Sequence, residues 1–131
     1  YPYRLSGGQK QIVCFLRAVF RPKLELVLLD EPFSALDVRH RLELRNVLKE
    51  QNEAKSFSSV MVTHDLVEAV YVADRVLLLT EDSAGGTFLR AFPTSGVEKG
   101  KDLGHGEKEL MKVVDEIEQY VEEAHDVDSR S

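Results

Sequence analysis

Four short runs in this chain hold residue types that could do phosphate chemistry. The first is Ser6-Gly7-Gly8-Gln9. Ser6 and Gln9 have the spacing of a capping box at a helix start, and the two glycines let backbone N–H groups approach an anion at the positive end of that helix. The second is Asp30-Glu31, two adjacent carboxylates delivered by the apolar run Leu26-Val27-Leu28-Leu29. A carboxylate pair at the end of a buried strand suits a metal ligand beside a general base. The third and fourth are Ser34-Ala35-Leu36-Asp37 and Thr63-His64-Asp65, the latter placing an imidazole after another apolar strand.

Elements that hold these residues follow from periodicity. Ile12, Phe15, Leu16, Val19 and Phe20 recur at helical spacing, with Val13, Cys14 and Ala18 on the other faces, which predicts a largely buried helix ending at Pro22. Leu26 to Leu29 reads as a parallel strand covered on both faces. Ser34 with Asp37 reads as a second capping box, opening a helix through Leu44, Val47 and Leu48. Val60 to Thr63 is a strand, Asp65 with Glu68 caps a third helix, and Val76 to Leu79 is another strand. Strand, helix, strand, helix, strand implies parallel crossovers.

Beyond that point, residues 81–86 read as a turn, and Thr87 to Phe92 as a strand folding back on Val76 to Leu79. Residues 93–106 read as a linker. Leu110, Val113, Val114, Ile117, Tyr120, Val121 and Ala124 line one face of an amphipathic helix over residues 107–124, followed by a flexible tail over 125–131. That helix either covers the domain's own surface or serves as an acidic docking tail.

Charge divides the chain near residue 80. The first 80 residues carry a net +1 and the remaining 51 a net −7. This acidity argues against nucleic acid as a partner, which would require a clustered basic face. Hydrophobic residues at 43% and charged residues at 31% are close to the globular average. There is no apolar run approaching the roughly 18 residues of a membrane span and no secretory leader pattern, so the composition reads as a soluble intracellular domain without direct membrane insertion. The single Cys14 reads as a buried small hydrophobe in a reducing compartment. His40, His105 and His125 read as solvated.

Taken in order, the four runs resemble an ABC-type ATPase. Ser6-Gly7-Gly8-Gln9 matches the family's signature motif, Leu26 to Pro32 its Walker B strand, Ser34 to Asp37 its D-loop and His64 its switch histidine. Tyr1-Pro2, Glu31-Pro32-Phe33 and Glu68 to Arg75 look like bacterial importers of the nitrate, sulfonate and taurine type. The resemblance implies an α/β fold, part of a P-loop NTPase with a mostly parallel sheet and flanking helices over residues 1–92, followed by the amphipathic helix. It implies Asp30 holding Mg²⁺ through water, and Glu31 and His64 as catalytic residues acting on the attacking water and the γ-phosphate. Ser6, Gly7, Gly8 and Gln9 would contact the ATP held by an opposite subunit, with Asp37 communicating across a head-to-tail dimer. Transmembrane permease subunits would be the further partners, placing the chain in the cytoplasm at the inner face of the cell membrane.

The pattern is incomplete. No Gly-x-x-x-x-Gly-Lys-Ser/Thr run occurs in these 131 residues, so the sequence corresponds to roughly the C-terminal half of one such domain. Ile12 stands where the family usually has an arginine, and Phe15-Leu16 where small residues are common. A parallel sheet without neighbouring strands would leave an unpaired edge and an apolar face open to solvent. The expected function is therefore the ATP-binding and ATP-hydrolysing part of an importer. The alternatives are a soluble ABC-type ATPase of DNA repair or translation, and a non-catalytic remnant that acts through contacts.

Overall fold

The computed structural model describes residues 4–54, 57–81, 85, 87–94 and 106–129. Their elements run in the order α1 (Gly7–Val19), β1 (Leu26–Asp30), α2 (Val38–Glu53), β2 (Ser58–Val62), α3 (Leu66–Val72), β3 (Arg75–Glu81), β4 (Thr87–Pro93) and α4 (Glu107–Ser129). They form two compact units, Tyr1–Glu68 and Ala69–Ser131, which divide within α3.

In the first unit β1 and β2 pair in parallel, with Leu28 opposite Val60 and Asp30 opposite Val62. The α2 crossover between them supplies Leu44 and Leu48 to the core, where they join Val27, Leu29, Phe33 and Leu36. α1 contributes Phe15 and Val19, and the Phe15 ring meets Phe33 edge to face at 5.2 Å. Such a pair adds specific geometry to the burial of two large apolar surfaces.

Two expectations about this unit are corrected. Only one face of the sheet is covered: Val27 and Leu29 are buried, while Leu26, Leu28, Val60 and Val62 on the opposite face are exposed. α1 buries only its Phe15 and Val19 stripe; Val13 and Phe20 are exposed, as is Cys14, which had been expected inside. Both corrections have one cause. An apolar run declares that a face can be covered, but the cover itself must come from other polypeptide, and this unit supplies it on one side only.

In the second unit β3 and β4 form the expected antiparallel hairpin, with Val76 opposite Phe92. β3 therefore belongs to a separate two-stranded sheet, and the parallel pairing extends only from β1 to β2 among the described residues. A short connection brings β4 against β3 at small entropic cost, which makes the hairpin the local solution. Leu110, Val114 and Ile117 of α4 are buried in this unit together with Val70, Val72, Val76 and Phe92. Tyr120 packs its ring against Phe92 at 5.8 Å, with the Arg90 guanidinium 4.1 Å from the Tyr120 centroid.

α4 extends through Ser129, so residues 125–129, read as part of a tail, are helical. Most of the expected linker, residues 95–105, lies outside the described residues, as do the Tyr1-Pro2 pair and His105.

Candidate nucleotide site

The Ser6-Gly7-Gly8-Gln9 run begins α1 as its residue types require. Ser6 is the N-cap; its hydroxyl accepts from the Gln9 amide at 3.2 Å while the Ser6 amide donates to Gln9 Oε1 at 3.0 Å. This reciprocal pair satisfies two of the unpaired donors at the helix start. Ser6, Gly7 and Gln9 remain exposed, so the positive end of α1 faces outward. Gly8 faces inward instead. A Cβ placed on it would lie 3.0 Å from the Ala35 carbonyl oxygen, whereas one on Gly7 would meet nothing within 4 Å.

β1 then delivers the carboxylates. Asp30 ends the strand with its side chain exposed, and Glu31 follows in the left-handed region at φ 45°. That conformation costs a residue with a side chain about 1 kcal/mol or more and persists only where surrounding contacts fix it. They do so here. The Glu31 amide donates to the Val62 carbonyl at 2.8 Å, and the Glu31 carbonyl accepts from Gln11 Nε2 at 3.0 Å and from Ser34 Oγ at 3.2 Å.

The turn thus formed aims the Glu31 side chain at the end of β2. Its Oε1 accepts from the His64 backbone amide at 2.9 Å and lies 3.4 Å from His64 Nε2. The imidazole is otherwise almost fully exposed, at 97%. Glu31 and His64 are thereby brought together at the C-terminal edge of the parallel strands, where open α/β sheets bind their ligands.

Asp37 is the N-cap of α2, accepting from the His40 amide at 2.9 Å and lying 2.8 Å from His40 Nδ1. The backbone hydrogen bond from His40, reinforced by its ring, holds the Asp37 carboxyl below its ordinary value. His40 is therefore a partner of Asp37 and not merely solvated. Ser34 does not form the expected capping box with Asp37; its hydroxyl is used between Glu31 and Gln11.

Sequence reasoning missed two further participants. Gln11 spans from α1 to the Glu31–Ala35 turn, donating to Glu31 O and to Ser34 Oγ and accepting from the Ala35 amide at 2.8 Å. The local pattern does not give these contacts, because its partners lie 20 to 24 positions away. Glu68, expected only as a capping partner of Asp65, is also buried. Its amide donates to Asp65 Oδ1, and its carboxylate accepts from Thr63 Oγ1 at 3.1 Å. Burial raises its pKa from the ordinary value, against the opposing Thr63 hydrogen bond.

Among the described residues no three His, Cys, Asp or Glu side chains gather as a metal cage. Asp30 nevertheless fits Mg²⁺, which keeps several waters and takes one or two carboxylates beside substrate phosphates. No helix among the described residues is long and apolar enough to cross a membrane.

No family model matches the chain. Similarity to individual proteins is extensive. The sulfate/thiosulfate import ATP-binding protein CysA is 51% identical over 81 residues in both Photorhabdus laumondii and Escherichia coli K12, covering 62% of this chain and 22% of the relative. The aliphatic sulfonates import ATP-binding protein SsuB 3 of Pseudomonas savastanoi is 40% identical over 114 residues, covering 87% of this chain and 42% of that protein. The chain thus spans between about a fifth and two fifths of the length of these relatives. A solved structure concerning ATP-driven dimerization and DNA-stimulated activation of SMC ATPases superposes with a TM-score of 0.56 over 89% of this chain and 64% of that one, at 18% identity, a likeness of fold. With the Ser6-Gly7-Gly8-Gln9 run, the carboxylate pair and these relatives in view, the homologues of this chain are the ATP-binding subunits of ABC importers, matched over 62 to 87% of its length.

Proposed function

We propose that this chain contributes the hydrolytic edge and the signature face of an importer ATPase that uses Mg-ATP to drive uptake of a small solute. The observation that carries this reading is the placement of Glu31 at the strand edge by hydrogen bonds of its amide to Val62 and of its carbonyl to Gln11 and Ser34, with its carboxylate against His64.

Glu31 is 31% exposed in its side chain, open enough to reach a water while its other contacts fix its direction. A general base needs that combination of reach and fixed geometry. Asp30, one residue earlier and exposed, would hold Mg²⁺ through water; the ion would supply neutralisation of phosphate charge when bound. His64, anchored by its amide with its ring exposed beside Glu31, would contact the γ-phosphate. Ser6, Gly7, Gly8 and Gln9 present backbone donors at the α1 terminus to the nucleotide of an opposite subunit.

In this reading ATP lies between two subunits, and closure around it is the movement passed to permease subunits at the inner face of the membrane. Sulfate, thiosulfate and aliphatic sulfonates are the solutes named for the relatives, which makes a small oxyanion the solute class to test first.

The test is calorimetric titration of Mg-ATP into the chain alone and after addition of a separately expressed segment bearing a Gly-x-x-x-x-Gly-Lys-Ser/Thr loop. Binding and phosphate release only with the added segment support the reading. Absence of both, with the two pieces folded, supports the alternative of a non-catalytic module.

A further inference from the structure

We propose that Gln11 is a positioning residue that ties the signature helix to Glu31. The proposal rests on the reading of Glu31 as the general base, and it adds the means by which the base is held.

Glu31 sits in a backbone conformation that its side chain disfavours, so the turn around it must be fixed from outside. Gln11 fixes it at three points: Nε2 donates to the Glu31 carbonyl at 3.0 Å and to Ser34 Oγ at 3.3 Å, and Oε1 accepts from the Ala35 amide at 2.8 Å. One amide side chain therefore uses both its donor and its acceptor ends on a single turn. Gly8, one helical turn earlier on α1, lies against the same turn, with room for no Cβ at ordinary distance from the Ala35 carbonyl. The helix that begins with Ser6-Gly7-Gly8-Gln9 and the turn that carries Glu31 are thus held together by a close approach and a forked hydrogen bond. A displacement of α1 on contact with an anion is passed through Gln11 to the Glu31 carbonyl. The Glu31 carboxylate then moves relative to His64.

The His64 amide is a reporter of this chain of contacts, because it bonds Glu31 Oε1 and not Gln11 or Ala35. Amide hydrogen exchange on the whole chain, compared among wild type, Gln11→Leu and Gln11→Glu, tests the proposal. In Gln11→Leu, exchange at Ala35 and at His64 rises roughly tenfold, the equilibrium equivalent of one hydrogen bond, while amides of α1 and β1 keep their protection. In Gln11→Glu the carboxylate still accepts from Ala35 but no longer donates to Glu31, so Ala35 stays protected and His64 does not. With the loop-bearing segment added, both variants lower kcat and leave KM for ATP unchanged, because the nucleotide contacts are intact.

Unchanged His64 exchange in Gln11→Leu overturns the proposal, as does loss of protection throughout α1 and β1 in both variants, which would make Gln11 an ordinary packing residue. If the wild-type mixture hydrolyses no ATP, the ATPase reading falls while the exchange at His64 still decides whether Gln11 positions Glu31.

Discussion

The backbone amide of His64 donates a 2.9 Å hydrogen bond to Oε1 of Glu31, across 33 positions of sequence. The two residues read as catalytic are therefore joined through the main chain of one and the side chain of the other. The imidazole lies 3.4 Å from the same carboxylate oxygen and is otherwise almost fully exposed.

This arrangement separates the structural and chemical roles of Glu31. Glu31→Gln keeps an oxygen acceptor for the His64 amide, so thermal stability should change by about 0.5 kcal/mol or less. Phosphate release by the chain with its loop-bearing segment should fall by about 10²-fold or more, the usual weight of a positioned general base. A variant that releases phosphate at the wild-type rate removes Glu31 from the mechanism.

Gly7 and Gly8 should respond oppositely to alanine. Gly7 has open space around it and an ordinary backbone, so Gly7→Ala should stabilise α1 by up to about 0.5–1 kcal/mol through helix propensity. Gly8→Ala sets a Cβ 3.0 Å from the Ala35 carbonyl, which Gln11 holds from the adjacent amide, so its melting temperature should fall. Thermal unfolding of the two variants side by side checks the sign of each.

Asp37 should give the start of α2 an acid-sensitive element. Its carboxyl titrates below the ordinary value of 3.8, chiefly because the charged form accepts the His40 amide bond. A depressed folded pKa contributes stability that is present above the unfolded value and is lost as pH falls through the folded one. Protection of the His40 amide should accordingly persist down to about pH 4 and decline below it, a decline absent from Asp37→Asn. Exchange measured along an acid series follows it.

Glu68 should behave in the opposite sense. Burial raises its pKa above 4.5, so its contribution to stability is complete below the unfolded value and is lost as pH rises through the folded one. Glu68→Gln can keep the Thr63 bond without the buried charge. Denaturant midpoints for the variant should match or exceed wild type at pH 7 and converge with it near pH 4. A variant less stable at pH 7 would show that the charged form is compensated by the nearby Arg41 and Arg45, which oppose the shift.

How much of the site was legible depends on sequence distance. The Ser6–Gln9 capping box, the Asp65–Glu68 cap and the carboxylates at the end of β1 were all readable, because each needs only a few neighbouring residues to form. Ser34 was misread as a capping partner of Asp37, since residue type and spacing alone do not say which of two nearby acceptors a hydroxyl will meet. The positioning contacts of Gln11 were not readable, because its partners come from a turn 20 to 24 positions away.

The same division holds for the fold. Sequence by itself determined the order of strands and helices, the hairpin of β3 with β4 and the apolar stripes, because hydrophobic period and turn chemistry are local. Only the tertiary structure decided that one face of the β1–β2 sheet stands open, that Cys14 is exposed and that Glu31 adopts φ 45° against His64. Burial and strained backbone both depend on what packs from elsewhere in the chain, and no window of neighbouring residues contains that information.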